Sequence, residues 1–342
     1  MAEKPRVLVT GGAGYVGSVL VPTLIQQGYP VTILDTFWFW NSPEEFRKEL
    51  NLVPNDSLQI IPGDIRNTED VWKSLADCQS VIHLACISND PSSELDPVFT
   101  HSVNYDGSAV VVDLSKKKGI TRFIYASSSS VYGIKQEPQV TENLALEPLT
   151  QYSKLKVDIE RYLQQRLEGN FKGVILRPST VCGYSPRQRL DVVVNILTHL
   201  AINKGKIKVM GGTQLRPNIH IKDMVRAYEL LLEAPLEKIN GKIYNAGDEN
   251  LTVLQIAELV RTVIGNTSLE MEETNDLRSY HVNSDRIRQE LGFTLHHSVK
   301  ESIKDLKEAF AQGKIPDSEH ERYINMKRMK TILHQDQQIT VE

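Results

Sequence analysis

Tyr152 and Lys156 stand four residues apart in Gln151-Tyr152-Ser153-Lys154-Leu155-Lys156, which reads as the start of a helix running to about Leu167. A helix carries side chains at that spacing on one face. A tyrosine in water has a pKa of about 10, too high for a base at neutral pH. A nearby ammonium, with the positive ring of an oxidised nicotinamide, favours the phenolate and lowers that value. Tyr152 can then remove a proton from an alcohol as a hydride leaves the same carbon. Ser128, in the loop Ser127-Ser128-Ser129-Ser130 that follows an apolar strand, can hydrogen-bond the reacting oxygen and share its changing charge. Lys156 can also hold the nicotinamide ribose. A Tyr-x-x-x-Lys pair also arises on solvated helix faces, so the reading depends on a second motif upstream.

That motif is Thr10-Gly11-Gly12-Ala13-Gly14-Tyr15-Val16-Gly17, between the strand Arg6-Val7-Leu8-Val9 and a helix over Ser18 to Gln27. Gly11 permits the tight turn, Gly14 keeps side chains away from a pyrophosphate, and Gly17 lets the helix lie close on the sheet. The helix N-terminus offers unpaired N–H groups to phosphates. A second strand, Val31-Thr32-Ile33-Leu34, ends in Asp35, 18 residues after Gly17. A carboxylate there accepts hydrogen bonds from an adenosine ribose diol and repels a 2′-phosphate. The next basic residue is Arg47, so the pattern favours NAD over NADP.

Positioning these groups takes an α/β fold. Strand and helix patterns alternate through the first half, which predicts a parallel sheet covered on both faces. Phe37-Trp38-Phe39-Trp40 fit either the mouth of the site or packing under a loop. Asp64, after the third strand, suits an adenine amino group or a cap for a helix from Asn67 to Leu75. His83 reads as a buried histidine rather than a catalyst. Asn89 belongs to a polar loop, Ile87 to Asp96, at the edge where ligands sit. Pro97 to Lys118 reads as one long helix. The chain has 342 residues, 40% hydrophobic and 24% charged, enough to bury a large core. Its net charge of −4 gives no argument for nucleic acid or an anionic membrane as partner. No apolar run approaches the ~18 residues of a membrane span. Met1-Ala2-Glu3-Lys4-Pro5 runs straight into the first strand, and the three cysteines show no metal spacing. Together these predict a cytoplasmic protein without a resident metal.

The chain resembles the extended short-chain dehydrogenase/reductases, the branch that works on nucleotide sugars. The glycine motif, Gly63-Asp64, His83-Leu84-Ala85, Asn104, Ser128 to Gly133, Tyr152 to Lys156, Arg177-Pro178 and Tyr244-Asn245-Ala246-Gly247 fall in that family's order. The resemblance implies a Rossmann doubly wound parallel sheet with bound NAD and a smaller mixed C-terminal domain for the nucleotide-diphosphate sugar. It implies a dimer built from the helices containing Asn104 and Tyr152. Gly11, Gly14, Tyr15, Val16, Gly17, Asp35, Asp64, Ile65, Leu84, Ala85, Asn104, Tyr152, Lys156 and Pro178 would then contact the cofactor. On this pattern residues 1–178 hold NAD, with 215–250 partly returning to that domain. Residues 179–214 and 251–315 hold the sugar nucleotide, and 316–342 form a polar tail with no assigned chemistry.

Departures from the family pattern narrow the reaction. Ser128, Ser129 and Ser130 stand where members that eliminate water resemble one another in having Thr-Asp-Glu, and members that epimerise C3 and C5 have a Cys at the position of Ser129. What remains is transient oxidation at one sugar carbon, most often C4. Arg177-Pro178-Ser179-Thr180 replaces the Asn-Pro-x-Gly usual in UDP-galactose 4-epimerases. The segment Ser185 to Asn195, with Arg216-Pro217-Asn218-Ile219-His220, resembles a subgroup encoded among surface-polysaccharide enzymes. By position, Arg216 and Arg278 resemble diphosphate clamps and Asn195 a substrate contact. Asn89, Ser128, Ser129, Tyr152 and Arg187 complete the expected sugar-nucleotide site. Three readings stay open: a nucleotide-sugar 4-epimerase, a dehydrogenase or reductase with net redox change, and a dinucleotide-sensing protein that has lost catalysis.

Overall fold

Runs such as Val7-Leu8-Val9 and Val81-Ile82 place apolar side chains on both sides of a strand, so both sheet faces must be covered. The computed structural model, which describes residues 4–53, 57–247, 249–274 and 279–339, has this arrangement. The first six strands are β1 (Arg6–Thr10), β2 (Val31–Asp35), β3 (Leu58–Pro62), β4 (Cys78–His83), β5 (Arg122–Ala126) and β6 (Lys172–Pro178). After them come β7 (Thr180–Cys182), β8 (Lys206–Met210), β9 (Leu215–His220), β10 (Ile243–Ala246), β11 (Glu249–Thr252) and β12 (Ser268–Glu272). The main sheet is parallel throughout, in the order β10-β6-β5-β4-β1-β2-β3. Strand order reverses between β1 and β4, and a crevice opens at the carboxyl ends there. Two further small sheets are β11-β9-β7 and β12-β8.

One core lies on each face of the main sheet. Val7, Val9, Ile33 and Ile124 pack on one side against Leu20 and Leu24 of the helix Gly17–Gln26 and Tyr228 and Leu231 of Ile221–Glu233. Leu8, Val81 and Phe123 pack on the other side against Val111, Val112, Ile159 and Leu163. Met329 and Ile332 join this second core from the helix Asn325–Ile339. The stretch read as a polar tail is therefore a docked helix. Met326, Met329, Ile332 and Leu333 recur at helical spacing, a stripe too narrow to stand out among the charges around it.

The long helix expected over Pro97 to Lys118 is broken in its pitch. Pro97–His101 and Ser108–Lys118 are α-helical, and Ser102–Gly107 between them is a π-turn. The widened turn swings Asn104 onto the chain after β4, where its Oδ1 accepts from Ile87 N at 2.7 Å and its Nδ2 donates to Ile87 O at 3.0 Å.

Candidate active site

A cavity of about 700 Å³ runs along the carboxyl edge of the sheet, from Asp35 and Asp64 at one end to Tyr152 and Arg216 at the other. The glycine turn forms its floor. Gly11 has φ +71°, and a Cβ there would fall 2.7 Å from Ala85 N. A Cβ on Gly17 would lie 2.5 Å from both Gly11 O and Gly12 O. Only glycine lets the helix Gly17–Gln26 start this close to the turn. That helix has no side-chain cap, and although Ser18 N and Val19 N donate to Gly14 O and Val16 O at 2.9 and 3.1 Å, its positive dipole end faces the cavity through Gly14 to Gly17. Tyr15, Val16, Ile65, Leu84, Ala85 and Pro178 also face the cavity.

Both acids expected at the adenosine end lie in the wall, each already partly engaged. Asp35 Oδ2 accepts from Ala13 N at 2.9 Å and Oδ1 from Phe37 N at 2.8 Å. Burial raises its carboxyl above the usual range, against these backbone donors, and each oxygen keeps a lone pair. Asp64 is gripped by the Arg66 fork, with Nη2 to Oδ2 at 2.7 Å and Nε to Oδ1 at 3.1 Å. It does not cap the next helix, because Asn67 Oδ1 accepts from Glu69 N at 2.9 Å. The four aromatics divide. Trp38 and Phe39 line the cavity, while Phe37 and Trp40 pack edge-on against Phe46 at 5.7 and 5.3 Å.

Ser128, Tyr152 and Lys156 meet at the β5–β6 end. Thr150 starts the helix Gln151–Gln164 through a capping box with Ser153, and its Oγ1 donates to Asp90 Oδ1 at 2.6 Å. This fixes Tyr152 in the first turn with its ring in the cavity wall. Lys156 Nζ donates to Ala126 O at 2.7 Å and lies 5.6 Å from the Tyr152 ring centroid. Ser130 N and Oγ both donate to Ser128 Oγ, at 3.2 and 2.9 Å, and the Ser128 hydroxyl acts on the Tyr152 phenol as a hydrogen-bond partner. The expectation that Lys156 lowers the phenol's pKa needs correction for the protein alone. Burial raises Tyr152 well above its ordinary value, and the opposing pull comes from Ser128 and Arg189. The phenol is therefore an acid until further positive charge enters the cavity.

Sequence reasoning missed what holds the serine loop. Ser127 Oγ donates to Glu160 Oε1 at 2.5 Å, and Glu160 takes Arg177 Nη2 at 2.5 Å and Nε at 2.9 Å. Arg177 Nη1 donates to Tyr132 OH at 3.0 Å, Tyr132 OH donates to Asn245 Oδ1 at 2.7 Å, and Asn245 N donates to Glu142 Oε1 at 2.8 Å. All six residues are buried. Burial pulls the Arg177 guanidinium down, and the pair with Glu160 more than reverses this. The available signal was spacing: Glu160 follows Lys156 by four residues and so shares its helix face.

The expected sugar-nucleotide residues fall into three groups. Ser129, Arg216, Asn89 and Arg187 face the cavity. Ser129 Oγ lies 3.3 Å from Tyr280 OH, and Arg216 Nη1 donates to Leu215 O at 3.1 Å. Asn89 braces its surroundings, with Oδ1 accepting from Ser92 N at 2.9 Å and Nδ2 donating to Asp191 Oδ2 at 3.0 Å. Asn195 stands behind the wall, buried, not in it. Its Oδ1 accepts from Gly183 N at 3.0 Å and its Nδ2 donates to Tyr15 OH at 3.0 Å and Arg189 O at 2.7 Å. Asn104 is likewise spent on Ile87, outside the cavity lining. Arg278 lies outside the described residues. Ile324, Asn325 and Met326 complete the wall from the C-terminal segment. Among the described residues no group of His, Cys, Asp and Glu could hold a metal, and no helix is long and apolar enough to cross a membrane.

A glycine turn whose vacant Cβ positions are closed by backbone, an uncapped helix start and a buried acid at the end of β2 define a dinucleotide-binding enzyme of the Rossmann type. The chain belongs to the NAD dependent epimerase/dehydratase family, whose model matches residues 7–247. It is 26% identical over 326 residues to the UDP-glucose 4-epimerase of Corynebacterium glutamicum, covering 90% of this chain and 96% of that one. It superimposes on the UDP-glucose 4-epimerase of Thermotoga maritima, solved with UDP-glucose, with a TM-score of 0.78 at 25% identity, covering 90% of this chain and 99% of that one. The Bacillus cereus UDP-glucuronic acid 4-epimerase, solved with UDP-glucuronic acid and NAD, gives 0.78 at 27% identity over the same shares, 90% and 99%. The cofactor is NAD, and the residues above fit it.

Proposed function

We propose that the chain is an NAD-dependent nucleotide-sugar 4-epimerase, working on a UDP-linked or related sugar in glycan or surface-polysaccharide synthesis. The observation that carries this reading is the convergence of Ser128, Tyr152 and Lys156 on one end of the cavity, beside a serine loop that offers only hydroxyls. NAD, when held by the Gly11–Gly17 turn and Asp35, would supply the redox chemistry at the sugar carbon. Tyr152 takes the proton of the sugar hydroxyl and later gives it back. Ser128 holds the reacting oxygen through both half-reactions. Lys156, fixed on Ala126 O, would hold the nicotinamide ribose, and its ammonium together with the positive ring of the oxidised cofactor would favour the ionised phenol. Ser128, Ser129 and Ser130 supply no carboxylate for elimination and no thiol for epimerisation next to C4. Ser129 and Arg216 hold the sugar nucleotide, with Arg278 as the second clamp. Support for the nucleotide class comes from the relatives, whose complexes hold UDP-glucose and UDP-glucuronic acid.

Tyr152→Phe tests the assignment. Turnover of UDP-sugars should fall about 10²–10⁴-fold while UDP-sugar binding persists. Turnover within threefold of the parent would remove Tyr152 from the chemistry. A net dehydrogenase is the second reading, supported by the likeness of Ser185 to Asn195 to a subgroup that includes 4-dehydrogenases as well as epimerases. Stoichiometric growth of absorbance at 340 nm on adding a sugar nucleotide would select it, and isomerisation without that signal would select the epimerase. The helices containing Asn104 and Tyr152 form the dimer surface in this proposal, which light scattering of the purified protein tests.

A further inference from the structure

Arg187 is 3% exposed in the cavity wall, yet its Nε has no hydrogen-bond partner among the described residues. No carboxylate pairs with it there, whereas the neighbouring Arg189 holds Asp191 through Nε at 2.6 Å. A buried charged donor left without an acceptor is costly, so this one points to an absent acceptor. Its position says which. The Arg187 backbone N donates to Ser18 Oγ at 3.2 Å, at the start of the helix that follows the glycine turn. Ser185 Oγ donates to Tyr15 O at 2.7 Å, which lays the same loop over the turn. The guanidinium stacks 3.5 Å from the Phe39 ring centroid, on the β2 side of the cavity, and it feels the Asp35 charge. These contacts with Ser18, Tyr15 and Phe39 put it on the dinucleotide side of the cavity.

A residue far along the chain holds Arg187 there. Nη2 donates to Asn325 Oδ1 at 2.6 Å. Asn325 is buried, its Nδ2 donates to Ser88 Oγ at 3.0 Å, and its backbone N donates to Asp191 Oδ2 at 3.0 Å. Three loops, after β2, after β4 and around residue 187, are thus tied together by one amide and the helix it begins. Arg328 Nε donates to Trp38 O at 2.5 Å and Met329 enters the core, which fixes that helix in place. The segment matched by the family model ends at 247, well before this helix.

We propose that Arg187, positioned by Asn325, binds the diphosphate of the dinucleotide, and that the helix Asn325–Ile339 is a built part of the cofactor site. Arg187, read from the sequence as a sugar-nucleotide contact, moves to the cofactor. Guanidinium geometry suits a diphosphate, which gives the orphaned Nε an acceptor. The proposal requires only that the chain bind NAD, and holds whichever sugar it turns over.

Binding of NAD and of UDP to the full chain, stripped of bound nucleotide and measured by calorimetry, provides the test. Arg187→Met removes the buried charge at similar volume, so folding should persist, and NAD affinity should fall about tenfold or more, with UDP affinity changed less than about twofold. Asn325→Ala should weaken NAD about three- to tenfold, and Asn325→Ser, which keeps a short hydroxyl acceptor, should recover part of that loss. In an Arg187→Met background Asn325→Ala should add nothing further, because its effect passes through the guanidinium. Unchanged NAD affinity in Arg187→Met overturns the proposal, as does a loss confined to UDP. Equal losses from Asn325→Ala in both backgrounds would overturn the positioning role, and should Asn325→Ala fail to fold, Asn325→Ser in the two backgrounds decides the same point.

Discussion

Glu160→Gln should be far more damaging than its single-atom change suggests. Glu160 neutralises Arg177, and both side chains are buried, paired at 2.5 Å. A glutamine keeps one acceptor oxygen and must turn its NH₂ either toward Nη2 or toward Ser127 Oγ and Nε together. In both orientations it opposes a guanidinium N–H, and the Arg177 charge stays buried without a counter-charge. Removing one partner of a buried pair costs about 3–5 kcal/mol. Unfolding entropy of about 2.1 cal/mol/K per residue, over 342 residues, gives about 0.7 kcal/mol/K. The melting temperature should therefore fall by about 4–7 °C in a calorimetric or fluorescence scan. The serine loop loses its anchor at Ser127, so turnover should drop about ten- to hundredfold, since misplacements near 1 Å cost that much. The double variant Glu160→Gln/Arg177→Met should be more stable than Glu160→Gln alone, because it removes the stranded cation. A melting temperature within 1 °C of the parent for the single variant, or a double variant less stable than both singles, would refute the account.

Three further outcomes are expected. Gly17→Ala should abolish NAD retention, as its Cβ has no room 2.5 Å from two backbone oxygens, and bound-nucleotide analysis of the purified variant reads this. Asn195→Ala should lower the melting temperature by about 1–4 °C, because Gly183 N loses its acceptor at about 1–3 kcal/mol for a group left unsatisfied, while Arg189 O keeps Gln188 Nε2 at 3.0 Å. Sugar-nucleotide affinity should follow only as the 183–191 loop loosens. His83 should make the protein acid-sensitive. Burial and the nearby Lys156 push its imidazole down to about 3, while the unfolded chain takes up a proton near 6.5. The unfolded state binds more protons between those values, so stability drains away as pH falls from about 6.5 to about 3. Replacing His83 by Gln, next to Thr10 Oγ1 and Ser108 Oγ, should flatten the urea midpoint across that window.

The parts legible in the sequence are those whose chemistry is local. The glycine turn, Asp35 and the Tyr152–Lys156 spacing each depend on neighbours within a few residues, and the structure gathers them on one cavity. Asn195 and Asn104 were read as ligand contacts, but an amide's ability to bridge two backbone groups leaves no mark on nearby residues. Both are spent that way. Glu160, Arg177 and Asn245 come from three elements and acquire meaning only when the sheet brings β6 beside β10. The helix at Asn325 was hidden because a narrow apolar stripe on a charged helix resembles a solvated tail. The Tyr152 phenol meets the same limit: burial raises its pKa in the protein alone, and burial is a property of the assembled wall that no spacing reports.

The order in which the chain is made now acquires a meaning. The glycine turn leaves the ribosome long before Ile324, Asn325 and Met326, which finish the wall above it. A nascent chain can assemble every strand of the main sheet and still present a crevice open along one side. Termination shortly before Ile324 would accordingly yield a protein with its catalytic pair in place and one flank of its nucleotide cleft missing.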